Sequence, residues 1–484
     1  MREPLYFFDI SSLLAHLRRV THFTGIQRVL VMLVLRVSGR VGPDKVYLSF
    51  INKATGAYQA VSVKEIGAET IRDPHKLASV LGVGGRHGRD LKPLSRYRNR
   101  PLKYFFHRTK LDIAAALGNQ AAFRKYSVDS GEWRSLRRPP EPDAASPVTA
   151  QARRLSFGDI SNPGDHLVIL DSSWTEARTK AAFLKAKQAG VDVRIMIHDL
   201  IPIMAPELVP QSSPLVFYNW LLETPEYASG YLTNSEKSKQ DLDHFLNAHG
   251  IDRPSVAVPL AQEGVGQDTA HVAAQGKVEA SAFPKMAEMM DLDARIRAIT
   301  TKPYVLFVGT LETRKNIWRM ALAWEKLLEI HGPTIPRLVL VGRPGWLNED
   351  FENFARGTGF LKGWIEQIHS PTDAELDFLY RHCEFSILVS LYEGWGLPVG
   401  EALSYGKTSV VGKATSLPEV GGDLVEYCDP RSVDSIAEAC SRLIGEPQHR
   451  REIEQRIAAA HLRSWDDVAA ELVEAIGNGA GGNS

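Results

Sequence analysis

Short apolar runs alternate with stretches of helical periodicity along most of this chain, the pattern left by parallel strand–helix–strand units. In the first half Leu5–Asp9, Val46–Phe50, His166–Leu170, Val193–His198, Gly230–Thr233 and Val256–Leu260 read as strands, and Gly25 to Val37 reads as a helix with one apolar stripe. A second series follows: Tyr304–Gly309, Arg337–Gly342, Phe385–Ser390, Thr408–Val411 and Leu424–Cys428. Helical patterns such as Ile317–Ile330 and Asp373–Arg381 separate these runs. The pattern predicts two α/β halves joined near residues 265–300, where no clear strand stands. A length of 484 residues agrees, because single hydrophobic cores stop growing at about 250–300 residues.

Charge changes this picture in one place. Over the whole chain 57 Lys and Arg balance 57 Asp and Glu, which argues against a general nucleic-acid coat. Yet residues 86–138 hold fourteen Lys and Arg against four acids, a net +10 that the rest of the chain offsets. Tyr97, Tyr104, Phe105, Phe106, Phe123, Tyr126 and Trp133 are interleaved with them. Basic residues mixed with aromatics suit an anionic membrane surface or a phosphate-bearing partner. The plainer alternative is a solvated insertion with a small core of its own. Pro139-Pro140-Glu141-Pro142 through Ala150 has linker composition, which bounds the insertion at residues 86–150.

Cys383, Cys428 and Cys440 have no C-x-x-C spacing and point to a reducing compartment. The run Leu5–Asp9 is too short for a signal-peptide core. Val29–Leu35, cut by Arg36, falls short of the roughly 20 apolar residues a bilayer span requires. A soluble or peripheral protein is expected.

The richest stretch for chemistry runs from Ser390 to Gly406: a strand end, the glycine-broken turn Glu393-Gly394-Trp395-Gly396-Leu397-Pro398, then a helix. Open α/β sheets bind ligands at the carboxyl ends of their strands, where helix N-termini offer unpaired N–H groups. Glu393 and Glu401, eight positions apart, are placed to address two hydroxyl-bearing parts of one ligand, and Gly394 and Gly396 let backbone approach it. Taken alone, such a pair reads first as two solvent-facing or cap-forming acids, and Arg314-Lys315 as a solvated charge pair opening a helix. A basic pair at that end opposes the helix macrodipole, which favours an anionic ligand there.

Glu393 to Glu401 matches the E-x(7)-E signature of retaining glycosyltransferases, in the fuller form of glycosyltransferase family 4. The chain resembles that family again at Val308-Gly309-Thr310-Leu311-Glu312-Thr313-Arg314-Lys315-Asn316, Ser370 to Leu376, Ser416 to Gly422, Ile197-His198-Asp199-Leu200 and Thr233-Asn234-Ser235. The matches run in family order across about residues 166–470 and come closest in form to bacterial mannosyltransferases. Asp9 through Arg28 fits the family's opening less tightly. The resemblance implies an α/β protein of GT-B architecture, two Rossmann-like domains facing across a cleft. It places an acceptor domain at 1–290, a nucleotide-sugar domain at 300–463, and a C-terminal helix at 464–484 crossing back to the first.

By that resemblance Lys315 meets the donor pyrophosphate, with Arg314 beside it because Thr310 stands where many relatives have Arg. Glu401 accepts from the donor ribose, Glu393 lies near the transferred sugar, and His198 reaches across from the first domain. Gly394, Gly396, Leu397 and Gly25 line the donor. The expected catalytic residues are therefore Glu393, His198 and Lys315. The implied activity is transfer of a hexose, mannose from GDP-mannose favoured, to a glycan or lipid-linked acceptor in cell-surface polysaccharide synthesis. No cofactor and no metal are expected. Asp241/Asp243 and Asp291/Asp293 have D-x-D spacing, but the first pair lies in an apparent helix where i and i+2 point apart, and the second in the interdomain join. Two rivals stay open: a GT-B sugar-nucleotide epimerase, and a non-catalytic assembly partner. The expected location is cytoplasmic, peripheral on the inner face of the cytoplasmic membrane.

Overall fold

A computed structural model of the chain describes residues 2–18, 23–52, 55–82, 94, 101–117, 122–123, 133, 152–175, 177–264, 292–369 and 371–477. Most of the 265–300 join, Asp291, and much of the basic stretch, including Arg96, Arg98 and Arg100, lie outside the described residues.

The chain parts into two units. The larger comprises Met1–Ser12, Thr24–Lys64 and Arg154–Ser484 and holds both sheets. Its first sheet has the order β4-β3-β2-β1-β5-β6-β7-β8: β1 is Tyr6–Asp9, β2 Val46–Ile51, β3 Tyr58–Ser62, β4 Leu155–Ser156, β5 His166–Ile169, β6 Asp192–Ile197, β7 Gly230–Thr233 and β8 Ser255–Ala257. Neighbours run parallel except at β2–β3 and β3–β4. Strands covered on both faces carry continuous apolar runs, and Phe7, Phe8, Leu167, Val168, Ile169, Val193 and Ile195 are all fully buried. The antiparallel edge was not foreseen from the pattern, because Tyr58-Gln59-Ala60-Val61-Ser62 is short and mixed in polarity. Tyr58 ties it in by donating to Asp9 Oδ2 at the carboxyl end of β1 (2.8 Å).

The second sheet is wholly parallel, in the order β11-β10-β9-β12-β13-β14. Its strands are β9 Tyr304–Val308, β10 Arg337–Val341, β11 Ile365–Ile368, β12 Ser386–Leu388, β13 Ser409–Gly412 and β14 Glu426–Cys428. Strand order reverses between β9 and β12, so their carboxyl ends open the crevice where ligands of such sheets bind. The corresponding reversal in the first sheet lies between β1 and β5.

The helix Trp465–Gly477 packs on the helix Gly25–Val41 of the first half. Trp465, Val468, Ala469, Leu472 and Ile476 form its buried face at helical spacing. Its entry is fixed by a backbone bond from Gln262 N–H to Arg463 O (2.9 Å) and by the Glu263 carboxylate, whose Oε2 accepts from Trp465 N–H (3.1 Å).

The smaller unit, Leu13–Phe23 with Glu65–Arg153, is helical where it is described. It is wider than the stretch marked by charge, because the near-neutral helices Ala68–Arg72 and Pro74–Val80 carry no such signal. Its core joins Leu94, Leu111, Ala114, Ala115, Phe123 and Trp133. No helix among the described residues is long and apolar enough to cross a membrane.

Candidate functional site

The two loops richest in candidate chemistry flank the switch point of the second sheet. After β9 the chain passes Gly309, turns through a short 3-10 segment at Thr313–Lys315, and enters the helix Ile317–His331. The turn closes at Asn316, in the left-handed region at φ 62°. Asparagine tolerates that conformation, and here its side chain also spans the strand ends, donating from Nδ2 to Val389 O (3.0 Å) and Pro430 O (2.6 Å). Arg314 and Lys315 are thereby held against the loop that follows β12.

That loop presents Glu393, 6% exposed, to both cations. Lys315 Nζ lies 2.5 Å from Glu393 Oε1, and Arg314 Nη1 lies 2.7 Å from Oε2. Arg314 further donates to Tyr392 O (2.8 Å) and to Glu312 Oε1 (2.9 Å). Burial works against the Glu393 carboxylate, but Arg314 and Lys315 outweigh it and hold the carboxyl at about 2. Glu312, buried, is pushed up. Burial pushes the Lys315 ammonium down while Glu393 props it up. The loop itself is pinned from below. Glu393 N–H donates to Thr415 Oγ1 (3.0 Å), and Ser416 Oγ donates to the Glu393 carbonyl (2.9 Å). Thr415 adopts φ 49°, costly for a β-branched residue.

Glycine is required where this loop meets the first sheet. A Cβ on Gly394 would sit 2.1 Å from His198 O, and one on Gly396, at φ 113°, would sit 2.6 Å from Leu417 Cδ2. His198, at the carboxyl end of β6, is therefore directly against the Glu393 loop. Its Nε2 donates to Leu170 O (2.7 Å), which fixes the ring. Asp199 beside it is half-buried, and its carboxyl is raised by loss of solvation against the pull of Arg314. Gly25 opens the helix Gly25–Val41 and faces Leu397, whose Cδ1 would lie 3.9 Å from an added Cβ.

Glu401 lies in the helix Leu397–Ser404 and accepts from Tyr380 OH (2.6 Å). Burial raises its carboxyl against that hydrogen bond. Tyr380 stacks on Tyr405 with ring centroids 5.2 Å apart. The structure thus brings Arg314, Lys315, Glu393 and Gly394 to His198 and Asp199, and sets Glu401 on the helix that follows. Sequence reasoning missed Glu312, Tyr380 and Thr415. Glu312 stood inside the quoted motif, while Tyr380 and Thr415 are long-range partners with no local signal.

The acid pairs have other partners. Asp241 pairs with Lys237 (2.5 Å) and accepts from Tyr392 OH; Asp243 pairs with Lys239 (2.7 Å) and accepts from Ser255 Oγ. Among the described residues no group of three or more His, Cys, Asp or Glu could hold a metal ion.

Residues 290–459 match the sequence family described as glycosyl transferases group 1. A stretch of 174 residues is 34% identical to the O-antigen chain mannosyltransferase B of Escherichia coli, covering 36% of this chain and 45% of that protein. Over 255 residues the chain is 24% identical to the serotype-specific mannosyltransferase WbdA of Escherichia coli, covering 52% of this chain and 30% of the other. The chain therefore spans less than half the length of these curated relatives. Among solved structures, Anabaena Alr3699/HepE in complex with UDP and glucose superposes with a TM-score of 0.54 at 12% identity, over 98% of this chain and 100% of that one. The protein has the GT-B fold and resembles bacterial mannosyltransferases.

Proposed function

We propose that the protein is a retaining hexosyltransferase of the family 4 type. In this reading it moves mannose from GDP-mannose to a glycan or lipid-linked acceptor in cell-surface polysaccharide synthesis. The observation that carries the reading is the convergence of half-buried Arg314 and buried Lys315 on one carboxylate at the β9/β12 switch point. As the glycosidic bond breaks, negative charge grows on the diphosphate. Cations fixed there stabilise the transition state more than the ground state. Glu393, now their counter-ion, is displaced toward the transferred hexose as the diphosphate takes its place. Glu401 then accepts from the ribose, and His198 meets the sugar from the first sheet's side. The mannose assignment is supported by the Gly309–Asn316 motif and by relatives named as mannosyltransferases.

Incubation with radiolabelled GDP-mannose, UDP-glucose and dTDP-glucose tests this. GDP-mannose is expected to be consumed fastest, with transfer or slow hydrolysis. Conversion of a nucleotide sugar with no sugar released would instead identify an epimerase. Absence of nucleotide binding in calorimetry would identify a non-catalytic partner.

Turnover is expected without a divalent ion, because two cations already address the diphosphate and Asp241 and Asp243 are each held by a lysine. Activity abolished by EDTA and restored by magnesium or manganese would contradict this. The protein is further proposed to act at the inner face of the cytoplasmic membrane, held peripherally by its basic unit. Each Lys or Arg near an anionic bilayer contributes about 1 kcal/mol, screened over a Debye length.

A further inference from the structure

We infer that the helix Pro101–Ala116 is the lipid-seating element of the smaller unit, its outward apolar stripe of Phe106, Ile113 and Leu117 entering an anionic bilayer with Lys103 and Lys110 along one flank at the headgroups. The inference rests on the peripheral-membrane reading above and names the surface that performs it.

The helix has two apolar sides, and among the described residues one of them is packed and the other exposed. Leu111, Ala114 and Ala115 are buried, and they pack with Leu94, Phe123 and Trp133. Trp133 Nε1 donates to Asp112 Oδ1 (2.9 Å), which fixes the helix about its own axis. On another side Phe106 is 65% exposed, Ile113 55% and Leu117 77%. Leu117 continues the helical turn, its N–H donating to Ile113 O (3.0 Å). The steps of seven and four put these three on one line along the helix. Lys103 and Lys110, both exposed, border that line on one flank, and Phe105, 65% exposed, lies beyond the other.

Scattered exposed apolar side chains need no explanation, but a row of them on a docked helix does. The bordering charge selects the occupant. An apolar stripe with lysines beside it, in a segment of net charge +10, matches the acyl boundary and headgroups of an anionic leaflet. A folded protein partner would satisfy the stripe without needing lysines of one sign along it.

The test uses the full chain and sedimentation with vesicles of phosphatidylcholine alone or with 30% phosphatidylglycerol. The triple variant Phe106→Ser, Ile113→Ser, Leu117→Ser should lose at least about tenfold in affinity for the anionic vesicles, since each side chain forfeits apolar burial. Its GDP binding in calorimetry should match the parent. In a separate Phe106→Cys variant, a polarity-sensitive dye should shift to the blue on adding anionic vesicles. Labelling there is selective because Cys383, Cys428 and Cys440 are buried.

The outcomes separate. If the triple variant binds like the parent while Lys103→Glu with Lys110→Glu abolishes binding, the membrane reading stands and the apolar seat is overturned. If the parent sediments equally with both vesicles, the membrane reading itself fails. If the triple variant abolishes a concentration-dependent dimer and leaves vesicle binding unchanged, the stripe is a self-association face and the inference is overturned.

Discussion

Lys315→Ala is expected to lower kcat/KM by about 2–4 kcal/mol, roughly 30- to 1,000-fold, the range for losing one fixed charge at a developing anion. The loss should fall mainly on kcat, because the diphosphate gains charge only as the glycosidic bond breaks. Lys315 is 8% exposed, so truncation also empties packed volume and strips Glu393 of one partner. Lys315→Met separates these effects. It keeps most of the buried stem and removes the charge, and should show the same kinetic loss with a smaller fall in Tm. Arg314 remains on Glu393 in both variants, so the loop keeps one anchor. A rise in KM with kcat unchanged would make Lys315 a ground-state binder only. Parent-like kinetics would move the diphosphate elsewhere.

The way this site is built explains which of its parts are legible in the sequence. The parallel strands were legible because burial on both faces leaves continuous apolar runs, as in Phe7-Phe8 and Val339-Leu340. The loops bearing Arg314-Lys315 and Glu393 were legible because each follows such a run and is broken by glycine. β3 and β11 were not. Ile365-Glu366-Gln367-Ile368 is an edge strand with a polar middle, and nothing local distinguishes it from a loop. Asn316 was visible as a letter in a motif, but its link between Val389 and Pro430 depends on residues 73 and 114 positions away. The same holds for Glu419, whose carboxylate accepts from the N–H groups of Glu236 and Lys237 (2.8 and 2.9 Å), capping a helix of the first half from the second. Charge segregation was visible in the sequence, yet not the division of the helix Pro101–Ala116 into a docked side and an outward one. That needed Trp133 and Phe123 in place. Local pattern therefore located most of the parallel strands and the loops that carry the candidate residues, and the contacts between distant segments decided how those residues are held.

Glu393→Gln is expected to abolish turnover and to change how stability depends on pH, and these two results test the same ion cluster independently. Its carboxyl lies near 2 in the fold against 4.5 for the unperturbed group, so folding favours the ionised form. A group with a depressed folded value contributes stability above its unfolded value and loses it as pH falls through the folded one. The contribution is about 3 kcal/mol at neutral pH, declining between about pH 4.5 and 2. The variant should therefore be less stable than the parent at pH 7, with the gap closing as the pH approaches 2. Chemical denaturation at several pH values measures it, and a gap constant with pH would mean Glu393 is not the counter-ion in solution. The same substitution leaves Arg314 half-buried with Glu312 as its remaining ion-pair partner, and Lys315 buried without the carboxylate it paired with. Breaking a buried pair by removing one partner leaves uncompensated charge, which an arriving diphosphate can satisfy without displacing a carboxylate. GDP should then raise the Tm of Glu393→Gln by more than it raises that of the parent, while no product forms. Equal shifts would show that the diphosphate does not compete with Glu393 for these two cations, and would separate the nucleotide site from the cluster at the β9/β12 crevice.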